Sequence, residues 1–314
     1  MINKFYNKIK FLFFDVEWNV AFREHVEDIP IEQQMEFQFL ILKNNWKYWC
    51  ADPFVFEYGG VTYIFMEVYD KLTQRGSIGY RTYNGNKISK IKICLKTEQH
   101  LSYPFIFSDG DNVYLMPECY QSNQLTVYRA VRFPDEWELD HINLKDISLC
   151  DSDIFEIASK KYLLTMPVGE PPFCYDKLLL YYQAKDTWYP SCINPVVCGS
   201  DHARNGGAIF NDHGRLIRPA QDCSTSYGEG LRFYKINQVD ESHYSETILC
   251  RLNVNQIKPL GSKLSFDGIH TFNTNKTYDV IDLRRESTFQ IPKAIFLVVS
   301  KLRRIWRKHH GSAD

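Results

Sequence analysis

Asp52-Pro-Phe-Val-Phe-Glu-Tyr-Gly-Gly-Val-Thr-Tyr-Ile-Phe-Met-Glu67 reads as an apolar strand, a Gly-Gly turn and a second strand. Fifty-one residues later the pattern returns without a gap as Tyr103-Pro-Phe-Ile-Phe-Ser-Asp-Gly-Asp-Asn-Val-Tyr-Leu-Met-Pro-Glu118. Pro53 matches Pro104, Tyr63 matches Tyr114 and Glu67 matches Glu118. A third copy begins at Asp151-Ser-Asp-Ile-Phe155, and looser ones begin at Gly206-Gly-Ala-Ile-Phe210 and Gly268-Ile-His-Thr-Phe272. Each is a pair of strands around a short turn rich in Gly, Asp, Asn or Lys, which is hairpin chemistry.

A further strand-like segment follows each of the first four hairpins, as in Gln124-Leu-Thr-Val-Tyr-Arg-Ala130 and Lys177-Leu-Leu-Leu-Tyr-Tyr-Gln183. Three or four short strands per unit of about fifty residues is the size of a propeller blade. The fold class read from this is all-β, a five-bladed β-propeller with a C-terminal amphipathic helix. The propeller takes residues 1–290, with blades near 46–98, 99–147, 148–200, 201–250 and 251–290, the last closed with the N-terminal segment. Residues 291–314 form the basic helix. An irregular β-sandwich with hairpins alike by chance does not account for three copies in register.

The composition agrees with a globular chain. Of 314 residues, 44% are hydrophobic and 24% charged, enough apolar material for a sizeable core. The 20 Tyr, 21 Phe and 6 Trp suit strands, and most are expected to pack in the core. The nine cysteines have no CxxC spacing, so no zinc site is read and reduced thiols are expected. The apolar run before Asp15 is too short for a signal peptide, and no run approaches the ~18 residues of a membrane span. The expected location is therefore cytoplasmic. Net charge is −1, but Lys293, Lys301, Arg303, Arg304, Arg307 and Lys308 put +6 into the tail, leaving −7 on the rest. An acidic body with a basic tail does not suit nucleic acid.

In a propeller the innermost strands all run the same way along the channel, so the residues that start them form a ring at one mouth. Asp52, Tyr103 and Asp151 hold that position. Second strands return to the same mouth, where Glu67 and Glu118 end theirs. Carboxylates facing one another across such an opening suit glycosyl chemistry, one as base or nucleophile and one, its pKa raised, as acid. His100 and Arg204 precede the second and fourth inner strands, and Arg218, Gln221 and Asp222 end the second strand of unit four. Arg204 is placed to clamp an anionic group; a structural salt bridge is the plain alternative. Trp49 and Tyr103 are read as surfaces for a sugar ring, and His270 as a core or channel residue. There is no GxGxxG after a strand, no P-loop, no HExxH and no GxSxG, so Rossmann-type nucleotide binding has no support.

A string of motifs carries a family resemblance: Ala51-Asp-Pro-Phe54, His100-Leu-Ser-Tyr-Pro104, Tyr114-Leu-Met-Pro-Glu118, Phe133-Pro-Asp-Glu-Trp137, Asn194-Pro-Val196 and Arg218-Pro-Ala-Gln-Asp-Cys223. From about Trp46 to Glu246 the chain resembles the propeller domain at the N-terminus of plant glucosamine inositolphosphorylceramide transferases and its stand-alone bacterial relatives. More distantly it resembles five-bladed glycoside hydrolases of the arabinanase and xylosidase kind. The second resemblance implies that Asp52 is a general base, Asp151 a pKa-tuning carboxylate and Glu118 the acid. Together they imply a glycosyltransferase of bacterial surface-polysaccharide or glycolipid assembly. It would use a nucleotide-sugar donor and a lipid-linked glycan acceptor, with no metal or other cofactor. The alternatives are an inverting glycoside hydrolase and a non-catalytic glycan-binding propeller.

Residues 292–308 open with a proline suited to a helix start. Ile295, Val298, Val299, Leu302, Ile305 and Trp306 recur at helical spacing, with Lys301, Arg304 and Lys308 on another face. Such a helix suits an anionic membrane surface; docking on the propeller is the alternative.

Overall fold

In the computed structural model, residues 13–34, 36–168 and 176–310 are described. Five antiparallel-dominated sheets follow one another along the chain. Blade one is Tyr48–Tyr58, Val61–Asp70, Arg75–Tyr83 and Lys92–Leu95. Blade two is Ser102–Asp109, Asn112–Glu118, Gln124–Arg132 and Glu136–Lys145. Blade three starts with Leu149–Ile157 and Lys160–Pro167, and blade four with Phe210–Asp212 and Arg215–Asp222. The fold class read from the repeat is the fold class found.

The fifth sheet closes the ring with strands from both ends of the chain. Its order runs from Phe272–Thr274 through Tyr278–Phe289 to Phe14–Glu24, then Phe37–Ile41 and Ile257–Leu260. Phe14–Glu24 pairs with Tyr278–Phe289 over nearly its whole length, from Phe14 opposite Phe289 to Glu24 opposite Tyr278. Closing the ring this way removes the open sheet edge at which a propeller would otherwise begin and end.

Alternation along the strands sends one set of side chains into the space between neighbouring blades. Phe54, Phe65, Tyr80, Phe105 and Leu115 pack together there between blades one and two. Phe39, Phe233, Phe272 and Ile281 do the same between blades four and five. Burying each such side chain contributes on the order of 1.5–3 kcal/mol. After the last strand, Gln290 donates from its backbone N–H to Phe13 O at 2.5 Å, and a helix runs over Ile291–His310.

Candidate functional site

The mouth of the channel is built by the same distortion in three blades. Ala51 pairs with Glu67 and Phe54 with Phe65, so Asp52 and Pro53 together face Met66. In blade two the flanking pairs are Ser102 with Glu118 and Phe105 with Met116. In blade three they are Cys150 with Met166 and Asp153 with Leu164. Each inner strand therefore carries one extra residue, a β-bulge. Proline is tolerated there because the bulge needs no ladder N–H. The bulge residue is left-handed in all three copies: Asp52 has φ 47, Tyr103 φ 42 and Asp151 φ 43. Aspartate accepts that conformation readily, whereas a bulky residue pays for it. The bulge turns these side chains toward the axis, and the strand partners at the same level are Glu67, Glu118 and Met166.

A cavity of about 300 Å³ opens at this mouth. Trp49, Asp52, Glu67, His100, Glu118 and Arg204, all singled out from the sequence, line it. Trp18, Tyr120, Met166, Tyr227 and His270 complete much of its wall.

One wall is organised around Asp52. Its Oδ2 accepts from the Tyr103 N–H at 3.2 Å, and its Oδ1 accepts from the Thr271 hydroxyl at 3.0 Å. His270 Nε2 lies 3.3 Å from Oδ1, while His270 Nδ1 lies 2.7 Å from Asp282 Oδ1. Asp282 also accepts from the Asp52, His270 and Thr271 backbone N–H groups. Burial pushes the Asp52 carboxyl up to about 7, with His270 pulling it down and Asp282 and Glu67 adding to the rise. Burial disfavours a charged His270, but Asp282 and Asp52 outweigh it and raise its pKa. The Trp18 ring stacks on the His270 ring at 3.9 Å between centroids, and Tyr227 meets it edge-on at 5.1 Å. Asp52, His270 and Asp282 place three possible metal-ligand atoms within 4.8 Å of one another. A cation held there would have to replace the contacts His270 makes to both carboxylates.

The opposite wall holds Glu118, Asp151 and Arg204. Arg204 Nε donates to Asp151 Oδ2 at 2.5 Å, and its Nη2 stands 4.0 Å from Glu118 Oε2. The Arg204 guanidinium carbon lies 5.0 Å from the Tyr227 ring centroid. Gln221 Nε2 donates to the same Asp151 oxygen at 2.9 Å. Glu118 Oε2 accepts from the Asp151 N–H at 3.2 Å. Burial, followed by the nearby Asp151 carboxylate, holds Glu118 well above the usual carboxyl range, which favours its protonated form. Between the walls, His100 Nε2 lies 3.1 Å from Glu67 Oε1, and His100 Nδ1 accepts from the Gly76 N–H at 3.0 Å. That second contact leaves Nε2 to carry the hydrogen toward Glu67. Gly76 has no room for a side chain, since a Cβ would come within 2.6 Å of Glu67 Oε1 and 2.5 Å of Leu101 O.

Five residues assigned to the site from the sequence lie outside the cavity lining. Asp151 and Gln221 sit directly behind Arg204. Tyr103 is 1% exposed and points beneath the site, donating to Asp153 at 3.0 Å and accepting from the Gly207 N–H at 3.0 Å. Gly207 has φ 137, and a Cβ there would strike Phe272 O, so only glycine lets the fourth blade approach the fifth so closely at this point. Arg218 is fully buried and bonded to Glu246 at 2.8 and 2.6 Å, which makes it an internal ion pair rather than a substrate clamp. Asp222 is taken by Arg232 and Ser224. The fourth inner strand is the reason for both displacements. Its regular part is only Phe210–Asp212, and it reaches the mouth through a single bridge, Asn205 to Ala220. The repeat's offset therefore does not carry over to this blade.

Solved structures share the architecture. An α-L-arabinofuranosidase of Podospora anserina aligns over 80% of this chain and 97% of its own, with TM-score 0.57 and 9% identity. The catalytic domain of a Coprinopsis cinerea α-L-arabinofuranosidase covers 86% of this chain and 99% of its own, with TM-score 0.53 and 9% identity. A xylan β-1,4-xylosidase of Bacillus halodurans aligns over 72% of this chain and 46% of its own, with TM-score 0.52 and 13% identity. At these identities the likeness is one of fold. Closer in sequence is glucosamine inositolphosphorylceramide transferase 1 of Arabidopsis thaliana, 35% identical over 203 residues, or 62% of this chain. The Oryza sativa subsp. japonica protein of the same name is 32% identical over the same length. The matched stretch is 26% and 27% of these relatives, so the chain spans about a quarter of their length. Residues 41–282, which include all the inner strands and both carboxylate walls, match the family described as glucosamine inositolphosphorylceramide transferase 1, N-terminal, and the chain belongs to that family.

Proposed function

We propose that this pocket binds a sugar and carries out glycosyl transfer from an activated donor to a glycan or glycolipid hydroxyl, with Asp52 as the general base. The observation that carries the reading is the pair of carboxyls on opposite walls of one sugar-sized cavity, Asp52 raised by burial to about 7 and Glu118 held well above the usual carboxyl range. Asp52, pushed up to about 7, is poised to accept a proton near neutrality, where a general base is most effective. Glu118 is held well above the usual carboxyl range, which favours the form that has a proton to give. As the acceptor oxygen forms its bond to the anomeric carbon, its proton passes to Asp52. The bond to the leaving oxygen breaks, and that oxygen is met by Glu118. The donor is a nucleotide sugar, with Arg204 nearest its phosphate. Trp18, Trp49 and Tyr227 supply faces for the rings. The setting is assembly of a surface glycan on a lipid-linked acceptor. The free thiols among the described residues, including exposed Cys192 and Cys198, suit the cytoplasmic side.

The raised Glu118 carboxyl also favours a second reading. A phosphate leaves without help, whereas a sugar alkoxide needs a proton, so an acid kept protonated suits cleavage of a glycoside by water. The two readings differ in what replaces the leaving group. Purified protein is incubated with a panel of nucleotide sugars, with and without membrane extract, beside an Asp52→Asn control. Nucleotide release that needs the extract and vanishes in the control supports transfer. Release from no donor, together with cleavage in a glycan screen, replaces transfer with hydrolysis.

A further inference from the structure

The C-terminal helix is attached at the pocket end of the propeller. Tyr278–Phe289 runs toward the mouth: Asp282 touches Asp52 and His270, Arg284 pairs with pocket-lining Trp18, and the strand continues past it to Phe289. Phe14 lies opposite Phe289, four residues beyond Trp18. At ~3.3 Å per residue this two-stranded arm reaches on the order of 13 Å past the pocket rim. The root is fixed by Gln290 Nε2 donating to Val16 O at 3.2 Å, and by Lys293 Nζ, 2.9 Å from Phe14 O and 3.2 Å from Asp15 Oδ2.

From that root the helix turns an apolar stripe outward. Phe289 is 61% exposed, Ile291 57%, Ile295 47%, Val298 55% and Leu302 60%. The helical members fall at 291, 295, 298 and 302, the spacing of one continuous face. Isolated exposed apolar residues need no explanation, but a contiguous row does. The sequence from Ile291 to His310 contains no acid, while the remainder of the chain is acidic. No helix among the described residues is long and apolar enough to cross a membrane. An apolar stripe among basic residues, attached to an acidic body, matches the surface of an anionic bilayer, whose interior takes the stripe and whose headgroups take the charge.

We infer that the Ile291–His310 helix lies in the surface of an anionic lipid bilayer and holds the pocket mouth toward it, so that the pocket works on a substrate presented by that membrane. The bilayer contact stands on the helix alone. The acceptor's being a glycolipid rests on the glycosyl-transfer reading.

The test is co-sedimentation of the full chain with vesicles of phosphatidylcholine, with and without phosphatidylserine or phosphatidylglycerol. Binding is expected on anionic vesicles only, weakening as salt is raised, because headgroup attraction is screened. Ile295→Asp with Val298→Asp, both on the exposed stripe, should cut binding by at least about tenfold and leave the chain folded, as circular dichroism would confirm. Equal binding to neutral vesicles, or binding unchanged in the double variant, overturns the inference. A dimer that dissociates in the double variant, in a chain that ignores vesicles, also overturns it and assigns the stripe to a second copy. Vesicle binding without sugar transfer leaves the inference standing and removes the glycosyl-transfer reading. Transfer to a soluble acceptor without vesicle binding does the reverse.

Discussion

The two walls of the pocket are built from the same kinds of group and behave differently because their cations differ. On one side a histidine, His270, stands between Asp52 and Asp282. On the other an arginine, Arg204, stands against Asp151 and near Glu118. A guanidinium keeps its charge at any working pH, whereas an imidazole gains and loses its own around neutrality. The first wall is therefore the one that changes charge in the physiological range. The second keeps its arginine charge, with Glu118 biased by burial toward its protonated form. Carboxyls in different environments, one beside a titrating histidine and one beside a fixed arginine, are the arrangement from which base and acid roles are argued.

The sharpest way to break this contrast is Asp52→Asn. The amide oxygen still accepts from the Tyr103 N–H, the amide nitrogen can donate to His270 and to the Thr271 hydroxyl oxygen once that hydroxyl rotates, and asparagine tolerates φ 47 as aspartate does. Geometry is kept and only the base is lost, so turnover should fall by about 10³- to 10⁴-fold, read as product formed per enzyme by mass spectrometry. Activity within tenfold of the unaltered chain would move the base elsewhere.

Glu118→Gln should act next most strongly, by about 10²- to 10³-fold for a sugar alkoxide leaving group. For a nucleotide diphosphate donor the same change should cost far less, because that group departs as a stable anion. Comparing the two donors in one variant separates acid catalysis from mere packing. Equal losses with both would show that Glu118 positions the donor rather than protonating it.

Half of this arrangement was legible in the sequence. Asp52, Glu67 and Glu118 lie in blades whose copies match without a gap, so their position at the mouth follows from register alone. The first wall was legible only in part: His270 was placed in the last unit as a core or channel residue and that blade was closed with the N-terminal segment, but Trp18 and Asp282 join it through a pairing over some 260 residues whose register no local pattern reports. Tyr103 marks a further limit. Its backbone matches Asp52 and Asp151, yet its longer side chain reaches under the site to Asp153 and Gly207. A repeat fixes where a residue starts, and the length of its side chain decides where it ends.

His270→Gln tests the switchable wall directly and should have a moderate effect. Asp52 must be ionised to accept a proton, so kcat/KM is expected to rise with pH through about 7. Protonated His270 favours the Asp52 anion. Replacing it with a neutral residue removes that help, so the rising limb should move to higher pH and the rate at pH 7 should drop by about tenfold. The equivalent change on the fixed wall, Arg204→Gln, should leave this limb near its original place. A limb that moves with Arg204 and not with His270 would reverse the assignment of the walls.

The smallest expected effect is on stability, and it runs opposite to activity. The Asp52 carboxyl ionises near 3.8 as an ordinary group and about 7 in the folded chain. Between those values the folded state holds a proton that the unfolded state has released, so folding stability falls as pH rises through that window. Above about 7 the folded chain carries the full cost of a buried anion, offset only in part by His270. Asparagine never ionises. Asp52→Asn should therefore melt at or slightly below the unaltered chain near pH 4 and above it at pH 8, by on the order of 1–2 kcal/mol. Thermal melts at the two pH values decide it. A variant less stable at pH 8 would mean that the Asp52–His270 contact contributes more than burial costs, and the pocket would then be a structural ion pair that happens to face a cavity.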